Sequence, residues 1–188
     1  MKIQIKLLSD LCTCSGETYN SIVDTDVTYD ENGIPYIPAK RIRGCIREAG
    51  LEMLEFGLIS RQEYEEVFGK EGNRNSAFSL SNAYISDYEE VTEALQKTPF
   101  TELKSQQNVL DQYTATRTQT AVDLRTGVAD KNSLRTIRVV RKGLTFEADC
   151  NWKSKVSKGD SEKAFRPEIL GQAVSLVKHM GMSRTRGL

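Results

Sequence analysis

Apolar and polar residues alternate along several short stretches of the chain, beginning at its first residues. Residues 2–8, KIQIKLL, place isoleucine and leucine side chains on one face and lysine and glutamine side chains on the other. This period of two is typical of a half-buried strand. Alternation also predicts a strand over 77–85, and an antiparallel pair of strands over 135–142 and 144–150 with a turn at Gly143.

Apolar residues at spacings of three and four predict the helices. The first helix is expected over 39–56 and the last over 165–180. Between them, Ser60 and Glu63 have the spacing of a capping box, which predicts a short helix over 60–68.

Two longer stretches lack such periods. Residues 12–33 are polar and rich in turn-forming residues, which indicates a long loop, and 86–133 show no clean period after Leu95. The order of the predicted elements is therefore strand, helix, strand, excursion, two strands and helix. This order is close to βαββαβ with an insertion and without the final strand, an α+β fold.

The composition is that of a globular chain with one domain. The sequence has 188 residues, of which 38% are hydrophobic and 28% are charged, so it differs from a disordered chain. It has no apolar run of transmembrane length and no signal-peptide pattern at its start. Its four cysteines are few for a disulfide scaffold. We therefore expect a cytoplasmic protein with free thiols and no membrane association.

The net charge of zero conceals an uneven distribution. Residues 48–103 hold four basic and twelve acidic side chains, whereas 104–142 hold eight basic and three acidic ones. Basic patches on a neutral protein are typical of a local polyanion site. A solvated surface without a ligand is the alternative interpretation of each patch.

The predicted helix over 39–56 has an inverted charge order. Four basic residues occupy its first half and three glutamates its second half, which is the reverse of what the helix dipole favours. A basic helix start indicates that an anion, such as a phosphate, binds there. The alternative is that Arg43 and Arg47 are neutralised by pairs with Glu48 and Glu52.

Several catalytic and metal-binding patterns are missing from the sequence. The single histidine, His179, argues against most acid–base chemistry and is better read as a surface or RNA-contacting residue. The spacing of Cys12 and Cys14 does not suit zinc, and no nucleotide-binding glycine loop is present. Asp24, Asp26 and Asp30 could bind a divalent cation, although they lack the spacing of an EF-hand.

Three segments together resemble one protein family. Residues 23–44, VDTDVTYDENGIPYIPAKRIRG, look like the first block of the RAMP superfamily of CRISPR-associated proteins, in which an aspartate-bearing loop leads through D-x-x-G-x-P-Y-I-P into a basic helix with a glycine, here Gly44. Residues 134–150 resemble the central hairpin of that family, and 181–188, GMSRTRGL, are similar to its glycine-rich loop.

The resemblance implies a ferredoxin-like (RNA-recognition-like) βαββαβ core. It implies a single RAMP domain over 1–188 with a thumb-like insertion over 98–133, and the chain ends where the closing strand of the family would follow. Within the superfamily the sequence resembles type III effector subunits, either the Csm/Cmr backbone group or the type III-D Csx group. The implied partners are CRISPR guide RNA, target RNA and other effector subunits.

The resemblance also implies functional residues. In the backbone group a loop aspartate cleaves target RNA with a divalent metal; its position here is Asp24, with Asp26 as a near neighbour, and Asp24 would hold Mg²⁺ if the subunit is catalytic. The residues expected to bind RNA lie on the basic helix, in the insertion and near the end of the chain: Lys40, Arg41, Arg43, Arg47, Arg117, Arg125, His179, Arg184 and Arg186.

Other functions stay open at this point. The subunit could be a non-catalytic RNA-binding assembly subunit that anchors the guide. It could also be a guide-processing endoribonuclease, but such enzymes often use histidine, and one late histidine argues against this. An unrelated ferredoxin-like small-molecule binder would leave the basic helix start unexplained.

Overall fold

A computed structural model describes residues 1–13, 23–70, 76–123, 125–153 and 166–182. The strands are β1 (Lys2–Lys6), β2 (Phe78–Leu80), β3 (Tyr84–Ile85), β4 (Thr114–Gln119), β5 (Arg135–Val140) and β6 (Thr145–Trp152). The helices are α1 (Ala39–Glu55), α2 (Arg61–Phe68), α3 (Tyr88–Lys97), α4 (Gln106–Tyr113) and α5 (Pro167–Leu176), with a 3₁₀ turn at Glu102–Lys104.

The strands form two sheets. The larger sheet has the order β1-β6-β2, and β3 also pairs with β6; the smaller sheet consists of β4 and β5. In the register of the larger sheet, Phe78 lies opposite Trp152 and Tyr84 lies opposite Glu147, both in antiparallel pairs. With α1 between β1 and β2, and α5 after β6, this order is that of a ferredoxin-like core. The predicted α+β class is confirmed, and no strand follows α5 within the described residues.

The chain divides into two compact units. The first unit contains Met1–Ile3, Pro38–Ala83 and Ala148–Met180. Its core is the apolar stripe of α1, with Ile42, Ile46 and Met53 each at most 2% exposed. Helix α1 packs against α5 and α2. At Gly50 a β-carbon would lie 2.6 Å from the Phe68 ring, so the close approach requires glycine.

The second unit contains Gln4–Ile37, Tyr84–Glu147 and Gly181–Leu188. Strands β4 and β5 pair along their full length, with Arg117 opposite Ile137 and Thr118 opposite Thr136. Ile137 and Val139 are buried against Cys12. Cys45 and Cys150 are free thiols, as the composition predicts. No helix in the described part of the chain is long and apolar enough to span a membrane.

The structure differs from the sequence prediction over 135–150. Strands β5 and β6 belong to different sheets and do not form the expected antiparallel pair. The reason is that Leu7, which follows β1, forms hydrogen bonds with the residues between β5 and β6. The Gly143 N–H donates to the Leu7 carbonyl at 2.8 Å, and the Leu7 N–H donates to the Leu144 carbonyl at 2.9 Å. The stretch 77–85 likewise forms two short strands, β2 and β3, instead of one.

Candidate nucleic-acid interface

The aspartate-bearing loop lies along one edge of β5. Thr25 forms a parallel bridge with Ile137. The Asp24 N–H donates to the Thr136 carbonyl at 2.8 Å, and the Arg138 N–H donates to the Thr25 carbonyl at 2.9 Å. Because β4 pairs with β5 as well, the loop extends the two-stranded sheet by a third, short segment.

Asp24 presents an exposed carboxylate that is fixed to this sheet. Its Oδ2 accepts a hydrogen bond from the Thr136 N–H at 2.6 Å, and its side chain is exposed. The residue is therefore joined to Thr136 both through its main chain and through its side chain. An anchored carboxylate in contact with solvent loses little conformational entropy when it binds a cation or a polar group.

Asp26, two residues further on, has a different environment. It is only 5% exposed, and its Oδ1 accepts a hydrogen bond from the Val27 N–H at 2.8 Å. The same oxygen lies 3.3 Å from Nε of Arg138, whose Nη1 donates to Asp111 of α4 at 2.9 Å. Arg138 thus joins the loop to α4, and its positive charge compensates the negative charge of the buried Asp26 carboxylate.

The donor set around the loop suits Mg²⁺ bound by a single protein carboxylate. The described residues contain no group of three or more histidine, cysteine, aspartate or glutamate side chains that could hold a metal ion. Mg²⁺ is often held by one or two carboxylates, with water and substrate phosphates as the other ligands. The Asp24 carboxylate fits this mode, whereas the Asp26 Oδ1 already accepts a hydrogen bond from the Val27 N–H and forms an ion pair with Arg138.

Asp30 organises the turn that follows the loop. Its Oδ1 accepts hydrogen bonds from the N–H groups of Asn32 and Ile34, at 3.0 and 2.8 Å. Gly33 adopts φ +86°, and a β-carbon there would lie 2.1 Å from the Gln106 carbonyl oxygen. In the segment D-x-x-G-x-P-Y-I-P, the aspartate and the glycine therefore have structural roles.

A tyrosine cluster lies beside Asp30. The Tyr88 hydroxyl donates to Asp30 Oδ2 at 2.8 Å. The ring of Tyr84 lies 4.6 Å from that of Tyr88 and 5.5 Å from that of Tyr36, measured between centroids. Burial, followed by the hydrogen bond to Asp30, raises the pKa of Tyr88 to about 12. Neither the cluster nor its bond to Asp30 is apparent from local sequence patterns.

The basic half of α1 lies in the first unit. Lys40 and Arg41 are exposed, and Arg43 and Arg47 are half-buried. Lys40, Arg43 and Arg47 follow at i, i+3 and i+7 and so share one face of the helix. Gly44 lies on the same face with open space around its α-carbon, which leaves room for a ligand backbone between the basic side chains.

Local contacts stabilise part of the basic half of α1. The first turn of α1 has no acidic residue, and its N-cap, Pro38, provides no side-chain hydrogen bond. Asn82 compensates in part, because its Oδ1 accepts from the Ala39 N–H at 2.9 Å. Arg47 Nε donates to the Tyr64 hydroxyl at 3.2 Å, while the buried Nε of Arg43 has no hydrogen-bond partner among the described residues.

The two arginines of the insertion have separate positions. Arg117 lies on β4 with an exposed side chain that forms an ion pair with Asp10. Arg125 is exposed in the turn after β4, where its N–H donates to Asp123 Oδ1 at 2.8 Å. The assignment of 98–133 to a thumb stays a prediction; within it lie the 3₁₀ turn, α4 and β4.

The remaining predicted residues lie near the end of the chain. His179 is exposed beyond α5. Arg184 and Arg186 lie outside the described residues.

Sequence reasoning did not find Arg138, Asp111 or Thr136, which hold the loop. The only signal for Arg138 is a basic residue inside an otherwise apolar strand, TIRVV.

Comparison with known families identifies the superfamily. A model described as "RAMPs: RAMP superfamily" matches residues 4–188. The chain belongs to the RAMP superfamily. This confirms the superfamily that the sequence resembles. No curated protein shows significant similarity to this RAMP sequence.

Solved structures share the fold of this RAMP protein. A chain of the type III-B Cmr-beta complex, in a cryo-EM structure bound to cognate target RNA, matches with a TM-score of 0.67 and 14% identity. The match covers 99% of the present chain and 93% of the other. A chain of the apo state of type III-B Cmr-beta matches with a TM-score of 0.66, the same identity and the same coverage. At this identity the similarity concerns the fold.

Proposed function

We propose that this RAMP protein is a guide-RNA-binding subunit of a type III CRISPR interference complex in the cytoplasm. The observation that carries the proposal is the full-length fold similarity to a type III-B Cmr-beta chain, in a structure bound to cognate target RNA, together with the family match over 4–188. Guide RNA, target RNA and other effector subunits are its proposed partners.

The first half of α1 is the proposed site for the RNA backbone. Lys40 and Arg41 are exposed, and Arg43 and Arg47 extend the basic face toward the middle of the helix. Gly44 leaves space for close approach. Because these groups would contact phosphates and not bases, the guide bases stay free to pair, and the surface should bind RNA with little sequence preference. Arg117, Arg125, His179, Arg184 and Arg186 are proposed as additional RNA contacts.

Asp24 is the proposed catalytic residue for cleavage of bound target RNA. Its carboxylate is exposed and anchored to Thr136, so it can hold Mg²⁺ beside an RNA phosphate. A bound Mg²⁺ would stabilise negative charge on the phosphate and favour ionisation of the attacking 2′-hydroxyl. Asp26 supports the site from the interior, because its pair with Arg138 fixes the loop on which Asp24 lies.

A non-catalytic assembly subunit is the second candidate. It is favoured by the absence of a cluster of three metal-ligating side chains in the part of the chain that the structure describes. Such a subunit would bind and anchor the guide through the same basic face of α1, without using Asp24.

Target cleavage in the reconstituted complex distinguishes the two candidates. The complex is assembled from partner subunits, guide RNA and labelled target, with and without Mg²⁺. Asp24→Asn keeps the size of the side chain and removes its charge, so it should abolish cutting and leave guide affinity within a few-fold. Asp149→Asn, at an exposed position on β6, is the matched control and should cut like the parent. Parent complexes that bind but never cut with Mg²⁺ or Mn²⁺ would support the assembly subunit instead.

A further inference from the structure

One continuous segment of the second unit has no buried residue. Every residue from 86 to 108 is exposed or half-buried, although this stretch includes α3 and the 3₁₀ turn that follows it. Isolated helices of this length are marginal in water and depend on packing of an apolar face. Helix α3 is therefore an amphipathic helix whose apolar face is incompletely covered.

The segment is nevertheless held in a defined position. At its start, the Tyr88 hydroxyl donates to Asp30. At its end, Lys104 Nζ donates to the Gln96 carbonyl at 3.2 Å, which ties the 3₁₀ turn to the last turn of α3. An ordered surface loses less entropy on binding than one that must fold first.

Two of its large apolar side chains extend into solvent. Val91 and Leu95 are half-buried on α3, and Phe100 and Leu103 directly after it are 64% and 59% exposed. Large apolar groups that cluster on an otherwise polar surface are typical of protein interaction sites, in which aromatic residues act as anchors.

The charge of the segment indicates what covers it. Residues 87–104 contain five acidic and two basic side chains, and Glu89, Glu90 and Glu93 are all exposed on α3. This acidity repels RNA phosphates, in contrast to the basic face of α1. It complements lysine and arginine side chains, which would also increase the rate of encounter.

We propose that the surface formed by α3 and the 3₁₀ turn, residues 87–104, is a docking site for a basic, amphipathic segment of a partner protein. Apolar side chains of that segment would cover Phe100 and Leu103, and its arginines or lysines would pair with Glu89 and Glu90. This protein-binding surface is independent of the proposed RNA contacts and of Asp24.

The test uses the full chain and a synthetic helical peptide with leucines on one face and arginines on the other. Its matched partner peptide carries glutamates in place of the arginines. Binding is measured by fluorescence anisotropy at several salt concentrations. The arginine peptide should bind more weakly as salt increases, and the glutamate peptide should not bind.

Two pairs of variants locate the binding surface. Phe100→Ser/Leu103→Ser should weaken binding of the arginine peptide by about tenfold or more, the usual loss for a truncated anchor. Phe56→Ser/Leu58→Ser removes a comparably exposed apolar pair from the first unit, where Phe56 and Leu58 are 80% and 68% exposed, and should leave binding unchanged.

Removing the negative charges of Glu89 and Glu90 tests whether charge contributes to binding of the arginine peptide. Glu89→Gln/Glu90→Gln should reduce affinity by a few-fold and flatten its salt dependence, whereas Glu52→Gln/Glu55→Gln on α1 should not. All of the substituted side chains are exposed, so circular dichroism should show an unchanged fold.

Three results would overturn the proposal. Equal losses in the Phe100/Leu103 and Phe56/Leu58 variants would show that binding is not specific to this surface. Self-association of the parent chain that the Phe100/Leu103 variant removes, measured by sedimentation velocity, would identify a second copy as the occupant. Reduced binding of single-stranded RNA by the same variant would identify an RNA surface. The peptide-binding assay does not measure RNA cleavage. Its result can therefore contradict the docking site without affecting the proposed role of Asp24, and the reverse.

Discussion

The Oδ1 atom of Asp26 lies 3.3 Å from Nε of Arg138, and both side chains are buried. The contact is an ion pair without an aligned hydrogen bond, because Nε has no hydrogen-bond partner within the described residues. Arg138 has a second acidic partner, Asp111, which is 54% exposed. Asp26 therefore depends on Arg138 for neutralisation more than Arg138 depends on Asp26.

This asymmetry predicts unequal effects on stability. Arg138→Met should lower the free energy of unfolding by about 3–5 kcal/mol, since it leaves a buried carboxylate without a counter-charge. Asp26→Asn should cost only about 1–2 kcal/mol, because Asp111 still pairs with Arg138. In urea unfolding, the double variant should recover part of the loss caused by Arg138→Met. Equal losses for the two single variants would contradict this account.

RNA affinity should depend on salt through the basic half of α1. For single-stranded RNA the log–log salt slope changes by about 0.7 for each phosphate contact. Arg41→Ala/Arg43→Ala should therefore weaken binding to RNAs of all sequences and flatten the slope by about one to two units. Arg61→Ala, at an exposed position on α2, is the control. Weaker binding with an unchanged slope would mean that the two arginines support the helix and do not contact phosphates.

Gly33 should tolerate replacement by alanine less well than Gly57, which lies outside the loop. Gly33→Ala places a β-carbon 2.1 Å from the Gln106 carbonyl oxygen at a φ of +86°, so the backbone must shift. We expect a loss of more than about 2 kcal/mol in the free energy of unfolding. Gly57→Ala has a similar φ, +69°, but open space, and should cost only about 1 kcal/mol. Thermal melts of the two variants compare the steric cost directly.

The tyrosine cluster predicts a dependence of stability on alkaline pH. The pKa of Tyr88 is raised to about 12 in the folded chain, from its ordinary value of 10.0. The folded state thus favours the neutral phenol, and the stability that it contributes is complete below pH 10 and is lost as the pH rises from 10 toward 12.

Tyr88→Phe tests this contribution. At pH 8 the variant should be less stable by about 1–2 kcal/mol, because the hydrogen bond to Asp30 is lost. Its stability should then decrease less than that of the parent between about pH 10 and 12, since the phenol is absent. Parallel pH profiles of the two chains in urea unfolding would show that Tyr88 does not carry the effect.

Local sequence signals predicted several elements accurately. The apolar stripe and the prolines before it predicted 39–56, and α1 spans Ala39–Glu55. The capping box of α2 is present, with Ser60 and Glu63 each bonded to the other. By contrast, α4 lies in the stretch after Leu95 without a clean period, and it buries only Val109 and Leu110. Helix α3, which buries no residue, was not predicted either.

The candidate site was predictable only in part. The resemblance of residues 23–44 to the family block indicated Asp24 and Asp26 as candidate site residues. It did not indicate which of them is buried. That difference arises because Asp26 forms an ion pair with Arg138, which also pairs with Asp111 of α4. Within the described residues, Asp24 is bonded to the main chain of Thr136.

The sequence by itself determined the α+β class, the first two helices, the basic start of α1 and membership of the RAMP superfamily. These properties depend on periodicity, capping and motifs within a few tens of residues. Tertiary structure alone decided that β5 pairs with β4 and not with β6, and that Asp24 is exposed while Asp26 is buried. The separation of β5 from β6 and the position of Asp24 depend on contacts between residues more than a hundred positions apart, such as Leu7 with Leu144 and Asp24 with Thr136. Local patterns carry no information about such partners.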